Sequence, residues 1–272
     1  MLTAVEALDK PKLEAAIDTE WAGKNVCYFN ELDSTNLRAK LEAEDGAPEG
    51  TLVVADMQTA GRGRQGRSWN SPGGTNVYFT LILKPAYEPD RASMVTLVMA
   101  LAVAEGICNT CGLATEIKWP NDVIVNGRKV CGILTEMSAE QGAIRYVVIG
   151  VGVNVGLQKF PPKIAAVATD LQAECGREVS RSTLIANIMK VFEKYYESFR
   201  RKGDLSGILD RYNSLLVNRD REVRVLDPKG EFRGIARGIN RRGELLVERE
   251  DGSTQEIYAG EVSVRGIYGY AV

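Results

Sequence analysis

The stretch GRGRQGR, residues 61–67, places three arginines between three glycines and is the clearest candidate for chemistry in this sequence. Glycine lets the backbone approach a ligand closely, and a guanidinium group binds two oxygens of a phosphate or carboxylate at once. The chain has a formal net charge of −2 and a pI near 5.6, so it has no general attraction for anions. The stretch therefore predicts a local anion site, with phosphate as the favoured anion.

The spacing G-x-G-x-x-G in this stretch also occurs in dinucleotide-binding folds, but the remainder of that pattern is missing. In those folds the glycines open a helix and an acidic residue follows ~20 positions later. Here SWNSPGGTNVYFTLILK follows, which predicts a strand ending at Lys84. A Walker loop needs a lysine after its last glycine, where this chain has Arg67. A solvated surface loop and a short RNA-binding segment remain as alternatives.

Composition restricts the chemistry further, because the 272 residues include no histidine. Nucleophiles paired with histidine and metal sites ligated by histidine are therefore excluded. Five scattered cysteines indicate free thiols in a reducing compartment. The N-terminus has no apolar signal segment, and the apolar run 94–104 is shorter than the ~20 residues of a membrane span. We expect a cytoplasmic protein with no membrane partner.

Predicted strands and helices alternate along residues 1–217, and they must position the loop. The patterns predict strands at NVCYFN, TLVVADM, NVYFTLILK, TEIKW, DVIV, KVCGILTEM and AIRYVVIGVGVNV. Predicted helices cover residues 2–18 with a break at Pro11, 33–46, the apolar run, 180–202 and 204–216. From residue 218, five short alternating stretches separated by turns predict a small β domain, so the domain boundary lies between residues 217 and 218.

Four further segments carry polar groups at the ends of predicted elements. DSTN, residues 33–36, places two hydroxyls and an amide at a helix N-terminus, where a plain helix cap is the alternative. The others are KWPND at 118–122, GRKVCGIL at 127–134 and GVGVNVG at 150–156. Each of them alone is explained by ordinary turns and solvated side chains.

In combination and order, DSTN, QTAGRGRQGRSWNSPGGTNVYFTLIL, KWPNDVIVNGRKVCGILTE and VIGVGVNV resemble the catalytic core of a biotin protein ligase over about residues 26–157. GEVSVRG resembles the last strands of the family's C-terminal domain. The resemblance implies an α+β fold with a mixed, mostly antiparallel sheet and packed helices, as in class II aminoacyl-tRNA synthetases. That catalytic domain would occupy residues 1–217, followed by an SH3-like β-barrel at 218–272.

The resemblance further implies a reaction and the residues that perform it. Biotin and ATP, normally with Mg²⁺, would give biotinyl-5′-adenylate, and biotin would pass to a lysine of a biotin carboxyl carrier protein. The expected biotin-binding residues are Ser34, Thr35, Asn36, Gln58, Arg62, Gly63, Arg64, Lys129 and Gly132. The expected nucleotide-binding residues are Arg64, Arg67, Trp69, Lys118, Asn121, Asp122 and Asn154. Lys129 and Arg64 would be catalytic, because a carboxylate must approach a triphosphate. Trp69 would contact the nucleotide or anchor the loop, and no protein-ligated metal is expected.

Two other functions stay open: a lipoate or octanoate ligase or transferase of the same superfamily, and a non-catalytic biotin-binding sensor. Bifunctional members carry a DNA-binding winged helix before the core, whereas 32 residues precede Asp33, fewer than the ~50 of a minimal domain. We therefore expect no DNA partner, and a homodimer stays open. We also expect the three loop arginines to lack partners until an anion binds, which would leave the loop mobile.

Overall fold

The computed structural model describes residues 7–157, 159–227, 230–259 and 263–266. The strands within this part are β1 Val26–Leu32, β2 Leu52–Gln58, β3 Val77–Leu83, β4 Glu116–Lys118, β5 Asp122–Val125, β6 Arg128–Glu140, β7 Ala143–Val153, β8 Arg221–Leu226, β9 Phe232–Ile239, β10 Leu245–Glu248, β11 Thr254–Ile257 and β12 Ser263–Gly266. The α-helices are α1 Lys10–Ala16, α2 Thr35–Glu44, α3 Ala92–Cys111, α4 Leu171–Cys175, α5 Arg181–Lys202 and α6 Leu209–Leu215.

The first seven strands form one sheet in the order β1-β2-β3-β7-β6-β5-β4. β1 and β2 run parallel, and the other neighbouring strands are antiparallel. Alternating and continuous apolar runs explain the strands, and helices cover the sheet. The prediction of a mixed, mostly antiparallel sheet with packed helices is confirmed. Because β2, β6 and β7 share this sheet, the polar segments that end or begin them come close together.

Helix α3 lies at the centre of the hydrophobic core, between the sheet and α5. Gly106 allows the two helices to approach, since a Cβ there would lie 2.6 Å from Ile188 Cγ1. The helical stretch Pro89–Cys111 is long and apolar enough to cross a membrane, but 78% of its most apolar window is buried inside the protein. It extends beyond the apolar run 94–104, and packing in the core accounts for its composition.

The last five strands form an antiparallel sheet in the order β11-β10-β9-β8-β12. This sheet packs against the larger part of the protein: Trp119 Nε1 donates to Gly243 O at 3.0 Å, and Leu205 N donates to Arg241 O at 2.9 Å. Its inward side chains join the same hydrophobic cluster as α3. Of the predicted GEVSVRG strands, residues 263–266 form β12 and residues 260–262 lie outside the described part.

Two local predictions differ from the structure, and one helix was not predicted. Pro11 lies in the first turn of α1 rather than breaking a helix, because its missing N–H costs nothing there, and Asp9 caps the helix. Residues 1–6 of that predicted helix lie outside the described part. The stretch 204–216 is divided, since a 3₁₀ turn at Leu205–Gly207 precedes α6. The short helix α4, capped by Asp170, was not predicted.

Candidate active site

The arginine loop forms a narrow ribbon beyond the end of β2. Gly63 N donates to Arg67 O at 2.7 Å, which pairs the two sides of the ribbon. At its tip Gln65 and Gly66 have φ angles of 57° and 70°. Two successive left-handed residues are what a tight type I′ turn requires, and glycine adopts this conformation without strain. Arg67 N donates to Arg64 O at 3.3 Å across this turn, so hydrogen bonds within the loop hold its two sides together.

Arg64 points from this ribbon towards the rest of the protein. Its Nη1 donates to Asn121 Oδ1 at 2.9 Å and its Nη2 to Ala259 O at 3.4 Å. Burial lowers the pKa of the guanidinium from its ordinary value. The expectation that the arginines lack partners is therefore wrong for Arg64. It is also wrong for Arg67, whose Nη2 donates to Gln65 Oε1 at 3.1 Å. The side chains of Arg62 and Arg67 are exposed.

Hydroxyl and amide groups converge where β2 ends and α2 begins. Gln58 Oε1 accepts hydrogen bonds from Thr35 N at 2.9 Å and Thr35 Oγ1 at 3.1 Å, and Gln58 Nε2 donates to Ser71 Oγ at 2.9 Å. Ser34 occupies the cap position of α2, but its side chain makes no capping hydrogen bond. A plain helix cap therefore does not account for this hydroxyl. Ser71, which orients Gln58, was not among the predicted residues.

Asn36 differs from its neighbours because the protein itself satisfies its amide. Its Nδ2 donates to Leu134 O at 3.2 Å and Glu136 Oε2 at 2.8 Å, and its Oδ1 accepts from Thr80 Oγ1 at 2.7 Å. Burial alone would raise the pKa of Glu136, but hydrogen bonds from Lys40 and Asn36 lower it below its ordinary value. Asn36 ties α2 to β3 and β6, and its contact with biotin stays a prediction.

Lys129 is the second residue of strand β6, which begins directly after the tight Asn126–Gly127 turn. Its Nζ lies 2.6 Å from Asp122 Oδ1 and 5.2 Å from the centre of the Trp69 ring. The side chain is 23% exposed, so it is not the freely solvated hairpin lysine that this position usually holds. An ammonium with an acid on one side and an indole face on another is held in a defined place.

Lys118 supplies a second, more deeply buried ammonium at the same end of the cavity. It is 7% exposed. Burial lowers the pKa of Lys118 to about 8, against the opposing effect of Asp122, and the positive charge of Lys129 lowers it further. The lowered pKa therefore reflects mainly the burial of the ammonium, and the neighbouring cations add a smaller effect.

Two glycines form a floor beneath the Trp69 indole. Gly132 and Gly152 are directly paired across β6 and β7. A Cβ on Gly152 would lie 2.5 Å from Trp69 Nε1, and a Cβ on Gly132 would lie 3.0 Å from Trp69 Cζ3. The indole therefore rests on bare backbone and anchors the loop to the sheet, which is one of its two expected roles. A contact with the nucleotide stays a prediction.

One wall of the cavity lies in a segment that no sequence motif covers. Phe160, Pro161, Ile164, Val167 and Ala168 line the cavity with apolar surface. Asn154 Nδ2 holds this segment by donating to Thr169 O at 3.1 Å. The apolar stretch after residue 159 is the available signal in the sequence, but nothing in its spacing distinguishes a ligand wall from ordinary packing.

All the residues predicted for the site line one cavity of about 370 Å³. Asn36 and its neighbours Thr35 and Gln58 lie beside the middle of β6, whereas Lys129 and Asp122 lie near the starts of β6 and β5. Arg265 of β12 also lines the cavity. Asp122 is the carboxylate that lines it within the described ranges, where no cluster of three or more acids and cysteines suited to a metal occurs. The arrangement can hold a ligand with a neutral polar head and an anionic tail.

Comparison with known proteins identifies the family of this chain. The model of the Biotin/lipoate A/B protein ligase family matches residues 28–154, and that of the Biotin protein ligase C terminal domain matches residues 220–265. The bifunctional ligase/repressor BirA of Bacillus subtilis is 39% identical over 94% of this chain and 79% of its own length. The biotin–[acetyl-CoA-carboxylase] ligase of Paracoccus denitrificans is 34% identical over 86% of this chain and 98% of its own.

A solved structure agrees with the sequence matches. The biotin protein ligase from Aquifex aeolicus in complex with biotin and ATP superimposes with a TM-score of 0.78 at 31% identity, over 89% of this chain and 99% of that one. The likeness therefore covers both the large sheet and the small C-terminal one. On these matches, the chain belongs to the biotin protein ligase family.

Proposed function

We propose that the protein joins biotin to ATP, giving biotinyl-5′-adenylate and pyrophosphate, and then transfers biotin to one lysine of a biotin carboxyl carrier protein. The observation that carries this proposal is the polarity of the cavity. Thr35 and Gln58 hydrogen-bond to each other next to Asn36, which contacts the middle of β6. Lys129 lies near the start of that strand, and Lys118 and Arg64 lie beside it, next to Asp122 and Asn121. Biotin has a matching polarity, with a neutral ureido ring, an aliphatic chain and a carboxylate.

The hydroxyl and amide end would bind the ureido ring. A ureido group both donates and accepts hydrogen bonds, as do the side chains of Ser34, Thr35 and Gln58. Ile133 and the segment 160–168 offer apolar surface for the fused ring and the aliphatic chain. Ser71 keeps Gln58 in place, so the amide meets the ligand with little loss of side-chain freedom.

The cationic end would perform the first chemical step. A carboxylate oxygen of biotin attacks the α-phosphorus of ATP, and the bond from that phosphorus to the pyrophosphate oxygen breaks. Two anions must meet, so positive charge held in place beforehand stabilises the transition state. Lys129 would contact the carboxylate and then the adenylate phosphate, with Lys118 beside it. Arg64, held by Asn121, would close the loop over the product.

In the second step the uncharged amine of the carrier lysine attacks the acyl carbon of the adenylate. An amide forms, the bond to AMP breaks and one proton is released. The carrier must cover the mouth of the cavity for its lysine to reach the acyl carbon. Arg62, Arg67 and Arg265 are exposed there, and the C-terminal sheet lies alongside. We propose that this small domain helps to dock the carrier or to close over the nucleotide.

Mg²⁺ fits this site as an ion carried by ATP rather than by the protein. It binds few carboxylates and several phosphate oxygens, and Asp122 is the available carboxylate within the described part of the cavity. When bound, it would neutralise charge on the phosphates. Lys118 and Lys129 would then orient the phosphate and the carboxylate.

The proposal extends to the domains of the protein, its cellular location and its partners. We place the catalytic domain at residues 1–217, with a class II synthetase-like sheet, and an SH3-like domain at 218–272. We further propose a cytoplasmic enzyme without a DNA partner, since its net charge of −2 gives no general attraction for nucleic acid. A homodimer stays a prediction that light scattering can check.

Transfer to a purified carrier domain tests the proposal and separates it from both alternatives. With ATP and biotin, the carrier should gain the mass of one biotinyl group on one lysine. Lipoate or octanoate in place of biotin should give no product. Transfer of lipoate would indicate the related ligases, and biotin binding without ATP cleavage would indicate a sensor.

A further inference from the structure

The carboxylate of Glu174, on α4, accepts three hydrogen bonds beside the site, although no motif contains this residue. The donors are Asn126 Nδ2 at 2.6 Å, Arg128 Nη2 at 2.5 Å and Thr169 Oγ1 at 2.5 Å. The Glu174 side chain is 5% exposed. A carboxylate so deeply buried needs partners of this kind, because burying it without them is costly.

Two of the donors precede Lys129 in the chain, and the third lies in the segment that hydrogen-bonds to the backbone of Lys129. Asn126 lies in the turn that joins β5 to β6, and Arg128 directly precedes Lys129. Thr169 belongs to the segment alongside, where Lys129 N donates to Val167 O at 2.8 Å and Thr169 N donates to Lys129 O at 3.0 Å. Glu174 therefore fastens the turn and the neighbouring segment to each other around the backbone of Lys129.

We propose that Glu174 is a positioning residue for Lys129. By fixing the start of β6 it keeps the Lys129 ammonium between Asp122 and Trp69, where the biotin carboxylate would arrive. Glu174 is not among the described residues that line the cavity, so it acts through the backbone and does not touch the ligand. A displacement of ~1 Å at a reacting group can reduce a rate by ~10²-fold. The inference rests on the proposed function, because it assumes that Lys129 acts in adenylation.

A double-mutant cycle on the adenylation step tests this coupling. Single-turnover adenylation rates are measured for the wild type, Glu174→Ala, Lys129→Ala and the double variant. We expect Glu174→Ala to slow adenylation about tenfold in the wild type and at most about twofold in Lys129→Ala, since residues that act through one contact are not additive. Equal slowing in both backgrounds, or a wild-type rate in Glu174→Ala, would overturn the proposal.

A conservative variant and a matched control separate positioning from simple loss of stability. Glu174→Gln keeps an acceptor for Arg128 and Thr169, so it should recover part of the rate. Glu105 accepts from Tyr195 Oη at 2.9 Å and from Arg211 Nε at 2.7 Å, away from the cavity. Glu105→Ala should therefore leave the adenylation rate of the folded protein unchanged, and urea unfolding gives the folded fraction of every variant. Slow adenylation in Glu105→Ala, or no recovery in Glu174→Gln, would contradict the assignment.

Thr169→Val provides a second route if Glu174→Ala does not fold. It removes one donor to Glu174 and keeps the shape of the side chain. We expect adenylation to slow about threefold, and this effect should also vanish in the Lys129→Ala background. Persistence of the effect there would count against the proposal. A wild-type protein without biotin-dependent adenylation would instead refute the proposed function, so the two failures are distinguishable.

Discussion

Lys129 Nζ and Asp122 Oδ1 lie 2.6 Å apart, so the cation proposed to meet the biotin carboxylate already has a carboxylate partner in the protein. An incoming ligand therefore joins an ion pair rather than a lone ammonium. The pair fixes the direction of a long, flexible side chain before the reaction, which reduces the entropy lost on binding. The buried Lys118 nearby supplies positive charge that this pair does not cancel.

Lys129→Ala should slow adenylation by about 10²–10³-fold, the usual cost of removing one preorganised charge contact. The variant also leaves Asp122 without its lysine partner, so we expect the free energy of unfolding to fall by about 1–3 kcal/mol. Pyrophosphate exchange and urea unfolding measure the two effects. Lys190→Ala, which removes an exposed pair with Asp18, is the control and should change neither. Exchange at the wild-type rate would remove Lys129 from the mechanism.

The pH dependence of nucleotide binding should reveal the loss of the Lys118 proton. Its folded pKa of about 8 lies below the ordinary 10.5, so the folded protein releases this proton as the pH rises through 8. Affinity for ATP should therefore fall above pH 8, by at most about tenfold per pH unit. Between pH 8 and 10.5 the same group makes folding more favourable as the pH rises, because the unfolded chain binds more protons there.

Calorimetry in two buffers with different ionisation heats measures the proton taken up on nucleotide binding near pH 8.5. Lys118→Arg should bind ATP with little dependence on pH in this range, because arginine stays charged. An equal fall in affinity in both proteins would assign the titration to another group.

Sequence patterns predicted the individual strands because these depend on local chemistry, whereas the arrangement of the sheet and the roles of the site residues followed from the resemblance to biotin protein ligases. Period-2 apolar runs give strands, and the Asn126–Gly127 turn fixes the hairpin that carries Lys129. Contacts between distant segments could not be read in this way. The support of Gln58 by Ser71, the contact of Arg64 with Asn121 and the apolar wall around Ile164 depend on tertiary packing.

Local propensity also gave one wrong expectation and did not indicate one set of contacts. The composition of the arginine loop suggested side chains without partners, but Asn121 and Ala259, far away in the chain, accept hydrogen bonds from Arg64. Asn36 was expected to contact the ligand because it shares a motif with Ser34 and Thr35. Its amide hydrogen-bonds to two strands, β3 and β6, which the helix-terminal position does not indicate, and its contact with biotin stays a prediction.

Gly152→Ala should impair the site by displacing the Trp69 indole. The new Cβ would lie 2.5 Å from Trp69 Nε1, so the anchor of the loop must move. We expect adenylation to slow about tenfold or more, because loop residues lose their alignment. In a Trp69→Ala background the same substitution should cost little further activity.

Gly142→Ala, in the turn that joins β6 to β7, provides a control for the general effect of replacing a glycine with alanine. Gly142 has a φ of 83° with open space around it, so alanine strains the turn without reaching the site. Its folded fraction should adenylate biotin at the wild-type rate. If both variants lost activity in proportion to their stability, the glycine floor would have no special part in catalysis.

Arg64→Gly should release the loop from Asn121 and from Ala259. We expect adenylate to escape, so that bystander proteins become biotinylated on lysines, and hydrogen exchange at residues 61–67 should no longer slow on ligand binding. Arg145→Gly is the matched control, because it makes the same substitution at an exposed arginine that pairs with Glu140 and does not line the cavity, and Arg64 is retained. Labelling confined to the carrier in Arg64→Gly would show that this arginine does not retain the adenylate.

Exchange of labelled pyrophosphate into ATP, without any carrier, tests the proposed activation of biotin most directly. The reaction is the reverse of adenylate formation, so it reports the first chemical step alone. We predict exchange that requires biotin, that lipoate and octanoate do not support, and that Lys129→Ala reduces by about 10²-fold or more. No exchange with biotin, or exchange supported by lipoate in its place, would contradict the activation of biotin by this protein.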